Sequence, residues 1–227
     1  MRRPAQSEFS FHGGRRPGAG RKRGNRVSHH PRPTFARVTP AIVTVKVKPD
    51  VPSLRSSRRF AAIREAFGAA RGLHGLRIVE FSVLGEHLHL VVEADDSKAL
   101  SRGMQGVLVR IAAALNRLLG RRGGVFSDHY HSRLLRSPTE VCAAIRYVLA
   151  NAEHHFGERG VDWCSSSAPH AASARAAPEG WLLRVGWRRG RWPRQGPPPG
   201  TQYAIGAVWT DDPRAARSTI RPAAERS

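Results

Sequence analysis

Cysteine is scarce in this chain, and so is negative charge. Only Cys142 and Cys164 occur among 227 residues, too few for a framework of disulfide bridges. There is no run of about 18 apolar residues and no basic amphipathic helix with an aromatic face, so no membrane partner is expected. The N-terminus lacks the charged, apolar and small-residue succession of a secretory signal, and a cytoplasmic, nucleoid-associated location is expected. Tyrosine is rare as well: Tyr130, Tyr147 and Tyr203 are the three present.

What is abundant is positive charge. Against 17 Asp and Glu stand 38 Lys and Arg, a net charge of +21 and a pI near 11.7. This exceeds what solubility requires and selects a polyanion as partner, because neutralising phosphates releases condensed counterions. Charge alone names no activity, since a ribosomal protein would share it.

The length allows one domain of ordinary size with tails. Residues 1–33 hold nine Lys and Arg and one Glu without apolar periodicity, the composition of a disordered basic arm. Arg15, Arg16, Arg21, Lys22 and Arg23 in this arm are expected to lie along phosphates or to act as a solvated, non-specific tail. Residues 34–156 have the patterning of a folded core. Residues 157–227 turn Ser/Ala/Pro-rich and basic, and a mostly irregular extension is expected there, with a packed Trp181–Trp187 segment.

Within the core, Ile42, Val43, Val45 and Val47 predict a first strand. Ser57 then caps a helix to about Arg71, with Phe60, Ile63, Ala66 and Phe67 at helical spacing. Two strand-like runs, Arg77–Leu84 and His87–Glu93, flank Gly85 and Glu86, a pair suited to a type II′ hairpin turn. A long helix follows from Lys98 to Leu119, its apolar positions including Val107, Leu108, Ile111, Leu115 and Leu118, and then a strand or extended edge over Val125–Leu135. Ser137, Pro138 and Glu140 combine two start signals for another helix, to about His155. The order β-α-β-β-α-β plus a helix predicts an α+β, ferredoxin-like core with an antiparallel sheet.

Alternation on the third strand puts His87, His89, Val91 and Glu93 on one side and Leu88, Leu90 and Val92 on the other. Two imidazoles about 7 Å apart along a strand can converge on one cation, while a single strand histidine is as readily a half-exposed surface residue. On the last helix Val141, Ile145, Val148, Leu149 and Ala152 define the buried stripe, leaving Tyr147 and Asn151 on a neighbouring flank, one turn apart. A tyrosine there is either a boundary aromatic or, if activated, a nucleophile. Tyr130 is the rival nucleophile, but it sits in an extended segment with no amide four residues later.

The segments Gly85–Leu90, Phe126–His131 and Ile145–Asn151 together resemble the IS200-type single-tyrosine transposases, most nearly the REP-associated tyrosine transposases of the HUH nuclease superfamily. The resemblance covers roughly residues 34–156. It implies His87, His89 and Asn151 as ligands of Mg²⁺ or Mn²⁺, Tyr147 as the nucleophile, a 5′-phosphotyrosyl intermediate with a free 3′-hydroxyl, and a single-stranded or hairpin DNA substrate. It also implies a ferredoxin-like core and a homodimer as one expected assembly. Two positions depart from the family: Ala152 stands where proline is common, and Glu86 where Asn or Asp is common. Arg121, Arg122 and Arg133 join the arm as expected nucleic-acid contacts. The competing expectation is a domesticated, non-catalytic binder of structured nucleic acid. A zinc hydrolase is disfavoured, because the helical His-Glu-x-x-His spacing is absent.

Overall fold

Strand β3 (His87–Ala94) is buried on both faces, and its alternation decides which layer each residue meets. Leu88, Leu90 and Val92 join one apolar core while Val91 joins a second. The computed structural model, which describes residues 34–157 and 160–198, is therefore a sheet with packed layers on both faces.

The sheet contains β1 (Thr39–Lys46), β2 (Leu76–Val83), β3 and β4 (His131–Leu134) in the order β2-β3-β1-β4, each neighbouring pair antiparallel. One face is covered by α1 (Ser57–Ala69) and α2 (Ser97–Leu118). Phe60, Ile63 and Phe67 of α1 and Met104, Val107, Ile111 and Leu115 of α2 fill that core. The other face is covered by α3 (Pro138–Leu149), through Val141, Ala144, Ile145, Val148 and Leu149. This is the expected ferredoxin-like arrangement with its additional helix.

Local signals held in part. Ser137 and Glu140 form the capping box at the start of α3, each side chain meeting the other's backbone N–H. The α1 cap is Ser56, one residue before the expected Ser57; its hydroxyl accepts from the Arg59 N–H. The hairpin has its two-residue connection, but Gly85 does not take the positive φ that a type II′ turn demands. Instead the carbonyls of Gly85 and Glu86 accept from Leu54 and Val47, so neighbouring chain shapes the turn. Leu118 is 41% exposed, because the α2 stripe starts at Leu100 and Met104 and has rotated away by the last turn. The segment expected as a strand from Val125 pairs only at His131–Leu134, apart from a single bridge between Phe126 and Val47.

The largest local difference lies after α3. The helix expected to run to His155 ends at Leu149; Ala150 takes φ −90° and ψ 7°, and a short α4 (Asn151–Phe156) follows. A straight helix would hold residues 147 and 151 on one flank. Asn151 is 3% exposed while Tyr147 is 51% exposed.

Residues 162–176 run along the outer edge of β2. The Val83 N–H donates to the Cys164 carbonyl, Ser166 N–H to Phe81, and Ala176 N–H to Ile78. This pairing covers an edge that would otherwise offer open backbone groups. Beyond it, α5 (Trp181–Arg184) and a single 3-10 turn (Gly186–Arg189) place Leu183, Trp187 and Trp192 on α3. Cys142 and Cys164 are both buried and unbridged.

Candidate active site

The site lies where the start of β3 passes beneath the end of α3. Thr44 of β1 stands opposite His89 in register, and its Oγ1 lies 3.1 Å from His89 Nδ1. With Nδ1–H donating to that hydroxyl, the His89 Nε2 lone pair is the one left for a cation. The His87 ring lies 6.0 Å from that of His89 between centroids, with planes 24° apart. Glu86 Oε1 lies 3.7 Å from His87 Nδ1 and Glu86 Oε2 lies 3.4 Å from Lys46 Nζ.

Tyr147 meets this pair from α3. Its ring is edge-on to His89, with centroids 5.2 Å apart at 89°. The half-exposed phenol forms the wall between two grooves. One, of about 600 Å³, is lined by Ile42, Thr44, His131, Arg133, Ala144 and Tyr147 among others. The other, of about 450 Å³, includes Arg146, Tyr147, Asn151, His154 and Gln195.

Burial drives the electrostatics. Desolvation, with smaller contributions from His87 and His155, lowers the His89 pKa to about 4. Desolvation also lowers that of His87, reinforced by Lys46 and His155 and opposed by Glu86. Both imidazoles are thus neutral near pH 7, the form that ligates metals. Asn151 adds a buried carboxamide whose Nδ2 has no hydrogen-bond partner among the described residues. Among the described residues no three His, Cys, Asp or Glu side chains converge as a metal site. A cation here would draw on two imidazoles and a carboxamide oxygen, a borderline set compatible with Mg²⁺ or Mn²⁺.

The structure therefore brings His87, His89 and Tyr147 together and puts Asn151 and Tyr147 on one groove. Arg133 lines the groove beside Tyr147, 59% exposed and 3.5 Å from Glu140. Arg121 is engaged elsewhere: it pairs with Asp50 at 2.7 Å and donates to the Gly124 carbonyl, so it serves the fold of its own loop. Arg122 is exposed beside it. Arg15, Arg16, Arg21, Lys22, Arg23 and Tyr203 lie outside the described residues. Tyr130, the rival nucleophile, is 7% exposed in the core on the α1/α2 side.

Thr44, His131 and His155 were not selected from sequence. The alternation of Ile42 and Thr44 on β1 was visible, but only strand register aligns Thr44 with His89. His155 reads as a solvated helix end until the break at Ala150 carries α4 towards the histidine pair. No helix among the described residues is long and apolar enough to cross a membrane.

No family model and no curated protein matches the chain. Among solved structures, a REP-associated tyrosine transposase bound to a REP hairpin is similar, with a TM-score of 0.51 and 15% identity over 62% of this chain and 82% of that one. A Deinococcus radiodurans protein described as a transposase gives a TM-score of 0.38 and 12% identity, over 47% of this chain and 86% of its own, too low to argue from. The chain has the fold of a single-tyrosine transposase, the fold that the motifs of residues 34–156 implied.

Proposed function

We propose that this protein cleaves and rejoins single-stranded DNA, with Tyr147 as the nucleophile and a divalent cation, Mg²⁺ or Mn²⁺, held by His87, His89 and Asn151. One observation carries the reading: the edge-on contact of Tyr147 with His89 sets a phenol on α3 against the imidazole pair on β3. A boundary aromatic serving only the core would have its ring buried, whereas this ring is 51% exposed between two grooves.

In the proposed reaction the Tyr147 hydroxyl attacks a backbone phosphorus in line. The P–O3′ bond breaks, the 5′ fragment end stays on the tyrosine as a phosphodiester, and the 3′ oxygen leaves and takes up a proton, while the phenolic proton passes to solvent or a neighbouring base. The tyrosyl ester keeps the phosphodiester energy, so attack by a 3′-hydroxyl rejoins the strand without a nucleotide cofactor. A bound divalent cation would supply Lewis-acid polarisation of the phosphoryl oxygen. Thr44 orients His89 through Nδ1, and Arg133, exposed on the groove beside Tyr147, neutralises the flanking phosphate. The transposase with the related fold was solved on a REP hairpin, which makes hairpin-bearing single strands the substrate to try first.

The test is a labelled hairpin oligonucleotide incubated with Mn²⁺ or Mg²⁺. A denaturant-stable protein–DNA adduct is expected from the wild type, and none from Tyr147→Phe or in the presence of EDTA. An adduct formed by Tyr147→Phe would overturn the assignment of the nucleophile; hairpin binding without any adduct would favour the non-catalytic binder.

A further inference from the structure

Residues 181–196 form a hook that, apart from Gln195 on the second groove, lies outside the site. It carries five arginines, Arg184, Arg188, Arg189, Arg191 and Arg194, all exposed, and contains no Asp or Glu. Among the described residues none of the five forms an ion pair with a carboxylate.

The hook is tightly built. Its entry is fixed by the Glu93 carboxylate, which accepts from the N–H groups of Glu179 at 2.6 Å and Gly180 at 2.9 Å. A Cβ at residue 186 would come within 2.6 Å of the Trp181 ring, so only glycine lets the indole lie against the turn. A Cβ at residue 190 would meet the Pro138 carbonyl oxygen at 2.4 Å, so glycine there lets the hook touch the start of α3. Further anchors are Cys142 Sγ to the Trp187 carbonyl and the Arg191 N–H to Thr139 Oγ1. From Gly190 the chain follows α3 until Arg146 donates to the carbonyl of Gly196, beside the Tyr147 groove.

This precise construction holds a large apolar ring out of the core. Trp181 is 51% exposed, with the Arg189 guanidinium carbon 5.6 Å from its centroid, while the neighbouring Leu183 is buried. An indole supported from behind, with Arg189 beside it and four more exposed arginines on the same short segment, fits a flat, anionic polymer: a nucleobase stacks on the ring while its phosphates meet the guanidinium groups. From Pro138, where Gly190 of the hook touches α3, to Tyr147 the helix rises about 14 Å, or about four nucleotides at the 3.4 Å spacing of a stacked strand.

Building on the cleavage reading above, we infer that Trp181 and the arginines of residues 184–194 form a second, sequence-tolerant platform for single-stranded nucleic acid, holding the strand that flanks the position cut at Tyr147. The platform binds bases by stacking and phosphates by charge, and it takes no part in the chemistry.

The test is fluorescence anisotropy of the full chain in EDTA, where cleavage does not contribute. The probes are a labelled oligothymidylate short enough to fill only the tyrosine groove and one longer by about four or more nucleotides. Trp181→Ala should weaken the longer probe roughly ten-fold or more and leave the shorter one unchanged, with Trp181→Phe restoring most of the loss. Arg188→Ser with Arg189→Ser should lower the slope of log affinity against log salt by about 1.4 for the longer probe, at about 0.7 per phosphate lost. The adduct on a minimal hairpin should form equally well in all these variants. Unchanged affinity of Trp181→Ala for the longer probe would overturn the platform, as would an equal loss for both probes. So would a change in the sedimentation of the chain alone, which would mark a protein–protein surface. A wild type that gives no adduct, yet binds the longer probe through Trp181, removes the cleavage reading and leaves the platform standing.

Discussion

At the far end of β3 the buried Glu93 carboxylate accepts from Arg77 at 3.0 Å and from the backbone of Glu179 and Gly180, while at the near end His89 meets a half-exposed phenol whose groove also holds Asn151, its carboxamide nitrogen without a partner among the described residues. Both sets lie on the α3 face of one strand. Elsewhere along β2 the buried polar groups are paired as well: Arg175 and Ser166 meet Glu80 at 2.6 and 2.5 Å, and Arg55 meets Asp162 at 2.9 Å. Buried polar groups in a fold are normally paired, so the paired end reads as structure. The end with perturbed imidazoles and spare hydrogen-bonding capacity, opening on two grooves, reads as the working site.

Substitutions in the two sets separate chemistry from stability. The largest expected effect is at the near end: Tyr147→Phe should abolish the covalent adduct while moving stability by no more than about 0.5 kcal/mol, as for a surface change. A urea melt beside the adduct assay checks both halves. Among the paired groups, Arg175→Met should cost about 3–5 kcal/mol near pH 8, because it strands the Glu80 carboxylate in the core. Burial already raises the Glu80 pKa to about 7, against the pull of Arg175 and Ser166, so near pH 5 the carboxyl takes up a proton and the loss should shrink. The adduct yield per folded molecule should stay at the wild-type level. A destabilised Tyr147→Phe or an inactive, folded Arg175→Met would break the division.

The same contrast explains what could be read from the sequence. Residues 87–90 alternate histidine and leucine, so the strand, its two faces and the paired histidines were legible from a few adjacent positions. The capping box at Ser137 was equally local. What stayed hidden depends on distant chain: Glu80 and Arg175 meet across 95 residues, Thr44 and His89 across 45, and the hairpin turn is shaped by Leu54 and Val47. The break at Ala150 carries neither glycine nor proline, so no helix-stop signal announced it.

Thr44 allows a finer cut within the near end. Thr44→Val keeps the shape of the side chain and removes the hydroxyl that holds His89 Nδ1. Groups that orient a ligand in this way usually set metal affinity by about 10–100-fold, so Mn²⁺ titration by calorimetry should show a loss of that size. An unchanged affinity would mean that packing alone orients His89, and that the near end is more self-supporting than its hydrogen bonds imply.

A last comparison sets the two regions against each other in acid. The folded pKa of His89 is lowered from 6.5 to about 4, so its contribution to stability is present above 6.5 and is lost as pH falls towards 4. The folded pKa of Glu80 is raised from 4.5 to about 7, so its contribution is present below 4.5 and is lost as pH rises towards 7. The two slopes oppose each other over nearly the same interval, and the wild-type stability curve should be flatter than either group alone would make it. Removing one should expose the other: His89→Gln should gain stability relative to wild type on acidification, and Glu80→Gln should lose it, each by up to about 3 kcal/mol across the window. Urea melts from about pH 4 to 7 read both difference curves. If the two ran in the same direction, burial would not be what sets both groups, and the partnered and unpartnered regions of this sheet would differ less in physics than in position.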